Sequence, residues 1–466
     1  MQFELTDLAL PEFGLPSEQP TIPASRYLER LASLKDVAIA AGYTHFIVYG
    51  DREHFANLTF LTGFDPRFEE ALLVINLASD SKPLLMVGNE GWGFAHISPI
   101  VDAFELVLYQ PFGLLGQDRS KSLPLAEIFS NAGITAGAKV GCAGWKHYTA
   151  LESPSPKTWL EIPAYLVDTL RELVGDRDVV ENANHLLMGA SDGLRVINDV
   201  DQLAVFEHAA TYSSQALKNV LFGVKPGMSE LEAFQLMQLP GLPLNCHAML
   251  SSGERAFLGM DSPSGRMIQH GDPFTNAVGI WGSLNARAGF MVSSAAELPA
   301  EIGDYLEKLV IPYFHAVVEW YEKIGIGVPG GDLYQIIHNR IGDPFFGVHL
   351  NPGHQVHLDE WVNSPIYAGS TETIESGMAF QVDVIPATGT PYFTTNIEDG
   401  IAIADEGLRN AFAASYPGAW ARIEARRAFM IHELGINIKA EVLPFSNIPA
   451  YLPPFLLAPY RALRKV

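Results

Sequence analysis

Cysteine is nearly absent from this chain: Cys142 and Cys246 are the only two in 466 residues. One widely separated pair can build neither a disulfide framework nor a zinc knuckle. Both therefore read as small buried apolar residues in a reducing, cytoplasmic setting. Basic residues are also scarce, with 30 Lys and Arg against 53 Asp and Glu and a formal net charge of −23. Phosphate binding needs clustered cations, so nucleic acid and anionic membrane surfaces are not expected partners. The basic tail Arg461–Lys465 is too short to reverse that balance. No apolar run is long enough to cross a membrane, and Met1-Gln2-Phe3-Glu4-Leu5 lacks the basic-then-apolar order of a secretory leader. Also missing are a GxSxG nucleophile elbow, a P-loop, an HExxH helix and a GxGxxG turn behind a strand.

What is present suits a protein with large cores. Hydrophobic residues make up 48% and charged residues 18%, and the length fits two or three domains. Residues 1–25, rich in Pro and Glu, read as an extended arm. A helical stretch over 25–42 precedes three apolar runs, Thr44–Tyr49, Ala71–Leu77 and Pro83–Val87, and the alternation predicts an α/β layer. A break near Gly189–Gly193 divides the chain at about 192/193. Beyond it the apolar spacing predicts a long helix over Leu194–Leu221, and Ser229 with Glu232 forms a capping-box signature for the next one. The same helix–turn–helix order recurs at Ile302–Ile324 and Asp332–Ile341.

Chemistry-bearing residues cluster late in the chain. They occur in Gly353-His354-Gln355-Val356-His357, in Glu375-Ser376-Gly377-Met378-Ala379-Phe380-Gln381-Val382-Asp383, and in Asn396-Ile397-Glu398-Asp399-Gly400. In order and spacing these segments resemble the C-terminal half of the creatinase/aminopeptidase P/prolidase superfamily, the pita-bread enzymes. The run Asn57–Phe64 resembles their N-terminal domain. The resemblance implies an α/β fold with a creatinase-like domain over 1–192 and a duplicated αββαβ domain over 193–466. It also implies a homodimer.

Those enzymes hold two divalent cations with two Asp, one His and two Glu. Carried over by position, the two Asp become Ala277 and Leu284, and the His becomes Leu350. The last two acids become Asp383 and Glu398. A slip in the shortened hairpin would offer Asn276 and Asn285 instead. A further histidine that serves substrate or proton transfer falls at Met260, which cannot titrate. His357 matches the second histidine, which contacts substrate.

The resulting expectation is a hydrolase acting on a C–N bond of a small polar molecule, without metal and without organic cofactor. His357, Glu398 and Asp383 would be catalytic, and Arg287, His349 and His354 would bind substrate. For Arg287 an ion pair with inner acids stands beside the role of carboxylate anchor. A rearranged single-metal site using Asp383, Glu398 and one of the three histidines is a second reading. A catalytically silent pocket that binds a small molecule or a partner is a third. Met260 reads as core or pocket wall, and Trp361 as packing.

Overall fold

The computed structural model describes residues 2–466, which divide into two compact units. One unit runs from Ile22 to Arg195, and the other joins the residues up to Thr21 to Val196–Val466. The division expected at 192/193 thus falls at 195/196. The N-terminal segment, expected as an extended arm, is held by strand pairing. Strand β1 (Phe3–Asp7) runs antiparallel to Arg461–Lys465, with Leu5 opposite Leu463.

In the Ile22–Arg195 unit, helix α1 (Ala24–Ala40) buries Leu31, Leu34 and Ala38, one face of a 3.6-residue repeat. The predicted apolar runs become β2 (His45–Gly50), β3 (Ala71–Asn76) and β4 (Leu84–Val87). With β5 (Glu105–Leu108), β6 (Val140–Ala143) and β7 (Val180–Asn182) they form a sheet in the order β5-β4-β3-β2-β6-β7. β2 is buried along its whole length because it lies inside the sheet, which explains its unbroken apolar sequence. Helix α2 (Ala164–Val174) adds Leu166, Leu170 and Val174 to a core with Ile47, Leu72 and Val74. Asn57 pins the Asn57–Phe64 run: its amide donates to the Gly144 carbonyl at 2.8 Å and accepts from Arg195 Nη1 at 2.7 Å.

The larger unit repeats one plan twice. Helices α3 (Val200–Gly223) and α4 (Glu230–Gln235) precede β8 (Cys246–Ser252), β9 (Pro273–Ile280) and β10 (Ser283–Phe290). Helices α5 (Ile311–Lys323) and α6 (Gly330–Ile341) precede β11 (His354–Gln355), β12 (Ala379–Val384) and β13 (Asn396–Ile403). The sheet order is β11-β12-β13-β10-β9-β8, so the two halves meet back to back at β13 and β10. Helix α7 (Pro417–Ala428) follows, then β14 (Val442–Pro444) on β13, and the last strand, β15 (Arg461–Lys465).

Local signals account for the boundaries. α3 starts at Val200 rather than Leu194 because the Asp199 carboxylate caps the Gln202 amide at 2.8 Å. α4 carries the full capping box between Ser229 and Glu232. α5 buries Tyr313, Trp320 and Tyr321, and the Trp320 indole donates to the Pro352 carbonyl at 2.8 Å, fixing the approach to β11. Gly353 there has φ +116°, and a Cβ on it would meet Trp320 at 3.1 Å and the Gln381 carbonyl at 3.2 Å. Only glycine fits that turn.

A buried ion network ties α3 to α7. Glu207 accepts from Arg422 Nε at 2.9 Å and from Arg426 Nη1 at 2.7 Å. Burial pushes this carboxyl up, but Arg426 and Arg422 outweigh it and hold it below its ordinary 4.5. A depressed folded value stabilises the protein fully at pH above the ordinary value, and the contribution fades as pH falls below it. Glu207→Gln should therefore cost about 3–5 kcal/mol at neutral pH by leaving two guanidinium groups uncompensated. In denaturant titrations the gap to the parent should narrow below pH 4.5. An equal gap at acid and neutral pH would refute this.

Candidate functional site

The meeting of the two halves lays a straight row of residues across four strands. Ala277 on β9 pairs with Ala286 on β10, Ala286 with Glu398 on β13, and Glu398 with Asp383 on β12. Directly paired residues in an antiparallel sheet point to the same side, so these four share one face. Two residues further along, Leu284 and Gln381 lie on that face as well, and Gln381 pairs with His354 on β11. Positions 277 and 284, where the resemblance puts metal ligands, therefore share a face with Asp383 and Glu398. The slip to Asn276 and Asn285 does not occur, since both lie one residue off the row.

The face has an apolar side and an acidic side. Ala277, Leu284 and Ala286 form one buried cluster with Met249, flanked by half-buried Cys246. The acidic side holds Asp383 and Glu398, each 5% exposed. His354 is fully buried between acids: its Nε2 lies 3.0 Å from Glu360 Oε1 and 3.8 Å from Asp383 Oδ2. The Trp361 indole stacks on this imidazole at 4.0 Å and 21°. His354 Nδ1 lies 3.2 Å from the Gln355 carbonyl, which can only accept, so Nδ1 carries the proton of that bond. Asp383 Oδ1 is buried without a hydrogen-bond partner.

Burial, and then the neighbouring charges, set the proton affinities. Burial, then Asp383 and Glu360, drive the Glu398 carboxyl well above the ordinary range. Burial raises Asp383 to about 6, with His354 pulling it down and Glu360 pushing it up. Burial lowers His354, but the Glu360 contact and Asp383 prevail and raise it. Cys246 rises to about 11 through burial and the fields of Glu360 and Glu398.

Several expectations need correction. Arg287 is not at the site. It lies one residue off the row, 1% exposed, with Nη2 on Asp399 Oδ2 at 2.8 Å and on the Ile448 carbonyl at 2.6 Å. Its Nε bonds the Tyr451 carbonyl at 2.8 Å and its Nη1 the Ala286 carbonyl at 2.7 Å. Behind the sheet and saturated, it cannot anchor a substrate facing Asp383. The histidine beside the acids is His354 and not residue 350, since Leu350 is 49% exposed in the segment before β11. His349 is exposed in that same segment. His357 is buried edge-on against Phe206 of α3, with ring centroids 5.1 Å apart. Met260 is 69% exposed and is not part of the core. Glu360 went unnoticed in the sequence because it sits in an irregular segment where no periodicity marks its direction.

A two-metal centre does not fit this donor set. Two of the positions that would bridge and chelate the ions carry the methyl of Ala277 and the isobutyl of Leu284, packed in an apolar cluster. The reverse-side pair is structural, so Arg287→Met should cost about 3–5 kcal/mol by leaving Asp399 buried without its cation. That loss should appear as a lower midpoint in urea, with ligand affinity measured below the transition unchanged. A stable Arg287→Met protein with weakened binding would contradict this placement.

No family model matches the chain. The uncharacterized peptidase YqhT of Bacillus subtilis is 24% identical over 226 residues, which span 46% of this chain and 62% of that protein. Among solved structures, an Xaa-Pro dipeptidase from Bacillus anthracis superposes with a TM-score of 0.60 at 16% identity, covering 82% of this chain and 96% of that one. The prolidase from Pyrococcus horikoshii gives 0.60 at 15% identity, covering 81% and 95%. An X-Pro aminopeptidase from Thermotoga maritima gives the same three values, 0.60, 15% and 81%, with 95% of its own chain covered. The back-to-back halves, the pairing of β10 with β13 and these superpositions agree: the chain has the fold of the creatinase/aminopeptidase P/prolidase superfamily, an N-terminal domain followed by a pita-bread domain.

Proposed function

We propose that this chain is a hydrolase acting on a C–N bond of a small polar molecule, without the two-metal centre of the Xaa-Pro peptidases whose fold it has. The observation that carries the reading is the row itself, with a buried apolar floor beside a buried acidic wall on one face. Met249, Ala277, Leu284 and Ala286 suit the aliphatic part of a substrate, and His354, Glu360 and Glu398 its polar end. Asp383, with one buried oxygen free of hydrogen bonds, is the base. It takes a proton from water as the water oxygen bonds to the carbonyl carbon. It returns that proton to the nitrogen as the C–N bond breaks, so no other reactant is consumed. The role first assigned to His357 passes to this carboxylate, and His354 becomes a positioning and binding group. A homodimer and a cytoplasmic setting belong to the same proposal.

The test is a turnover panel of Xaa-Pro and other dipeptides, creatine-like guanidino acids, ureido acids and simple amides. Asp383→Asn should lower kcat/KM on the accepted class by about 10²–10⁴-fold, mostly in kcat, with circular dichroism unchanged. Compounds that raise the melting temperature without forming product would identify a silent binding pocket and overturn the hydrolase reading. So would an Asp383→Asn protein as fast as the parent.

A further inference from the structure

We propose that the Ile22–Arg195 unit carries a second binding site, an open cavity of about 380 Å³ that takes a zwitterionic amino acid with an apolar side chain. The cavity lies wholly within this unit and shares no residue with the row of acids. Its volume, near the lower end of the range for ligand sites, suits one small molecule and not a long peptide.

Sheet topology creates the space. β5 is the edge strand beyond β4. Val74 pairs with Leu84 and Leu84 with Glu105, so these side chains share one face with Val107, two residues further along β5. The helix Leu125–Asn131 packs Leu125, Ile128 and Phe129 into the core on that face, yet Leu84 and Val107 stay partly exposed. The helix therefore stops short of the edge, and Val74, Leu84, Val107 and Ile128 form an apolar floor. Past the helix, Gly133 has φ +94°, and a Cβ on it would meet Asn76 Nδ2 at 2.8 Å, so no side chain fills that corner. The Asn76 amide is a fixed wall: it donates to the Ala132 carbonyl at 2.9 Å and accepts from the Ala78 amide at 3.0 Å.

Two opposite charges stand on the rim. Lys82 and Glu105 both line the cavity, and their backbones are neighbours, since the Glu105 amide donates to the Pro83 carbonyl at 2.9 Å. They do not pair with each other. Lys82 Nζ donates instead to the Asp102 carbonyl at 2.7 Å, which leaves two of its three donors for a ligand. Among the described residues the Glu105 carboxylate has no ion pair and no hydrogen-bond partner. An α-ammonium on Glu105 and an α-carboxylate on Lys82 would set the side chain of an amino acid on the floor. A simple anion would meet Glu105 unpaired, and a simple cation would meet Lys82. An uncharged apolar molecule would strip water from both and replace it for neither.

Titration calorimetry of the full-length protein with L-leucine should show one site at millimolar concentration or below. Leucinamide, which lacks the carboxylate, and isocaproate, which lacks the ammonium, should each bind about tenfold more weakly. Glu105→Gln and Lys82→Met should weaken leucine by a similar factor. Val107→Phe, at a partly exposed edge position, should abolish binding by filling the floor, with circular dichroism unchanged. Asp383→Asn should bind leucine as the parent does. No heat with leucine, an analogue that binds as tightly as leucine, or full affinity in Val107→Phe overturns the site. So does leucine binding that Asp383→Asn removes and Glu105→Gln leaves intact, which would put the amino acid at the row of acids.

Discussion

The antiparallel pairing of β10 with β13 joins the two duplicated halves, and the site inherits its geometry from that seam. Because Ala286 pairs with Glu398, the apolar floor of one half stands directly beside the acids of the other. The seam is secured from behind by Arg287, which spans from the Ala286 carbonyl on β10 to the Asp399 carboxylate on β13 and to the carbonyls of Ile448 and Tyr451. A buried guanidinium with five protein acceptors, the Glu398 carbonyl among them, tolerates little displacement, since any lost partner leaves a polar group unsatisfied. A one-residue slip would send Glu398 to the reverse side and Asp399 to the front.

That seam also explains why an acidic cluster this crowded can persist. Asp383 and Glu398 occupy adjacent strands in direct register, and neither can move away without breaking the ladder. Burial in the sheet raises both proton affinities, and the neighbouring acids add to it, Glu360 for Asp383 and both Asp383 and Glu360 for Glu398. His354 joins them from the sheet edge, held by the Gly353 turn under Trp320 on one side and by the Trp361 indole on the other. The positioning of the site is therefore a property of the backbone, while its chemistry lies in the few side chains that the backbone crowds together.

Much of this was legible beforehand, for identifiable reasons. The apolar runs of β2 to β4, the capping box of α4 and the helix pairs announcing each half are local patterns, and local patterns survive folding. Ala277 and Leu284 could be placed because strand register is periodic and the hairpin joining β9 and β10 is short. That His354 and not residue 350 stands beside the acids escapes counting from Gly353, which assumes an even strand, whereas β11 is two residues long and preceded by an irregular segment. Arg287 was ambiguous because alternation says that a residue leaves the row but not which side is filled with protein.

By itself the sequence determined the layered α/β character, the helix boundaries marked by caps, the duplicated plan and the apolar character of positions 277 and 284, since each depends on residue type at fixed spacing. Tertiary structure decided which half-strand meets which, that Arg287 is a rivet and not a receptor, that the N-terminal strand closes onto the last one, and that Glu360 stands against His354. Those outcomes depend on contacts between residues far apart in the chain or in irregular segments, where direction is set by packing and not by period.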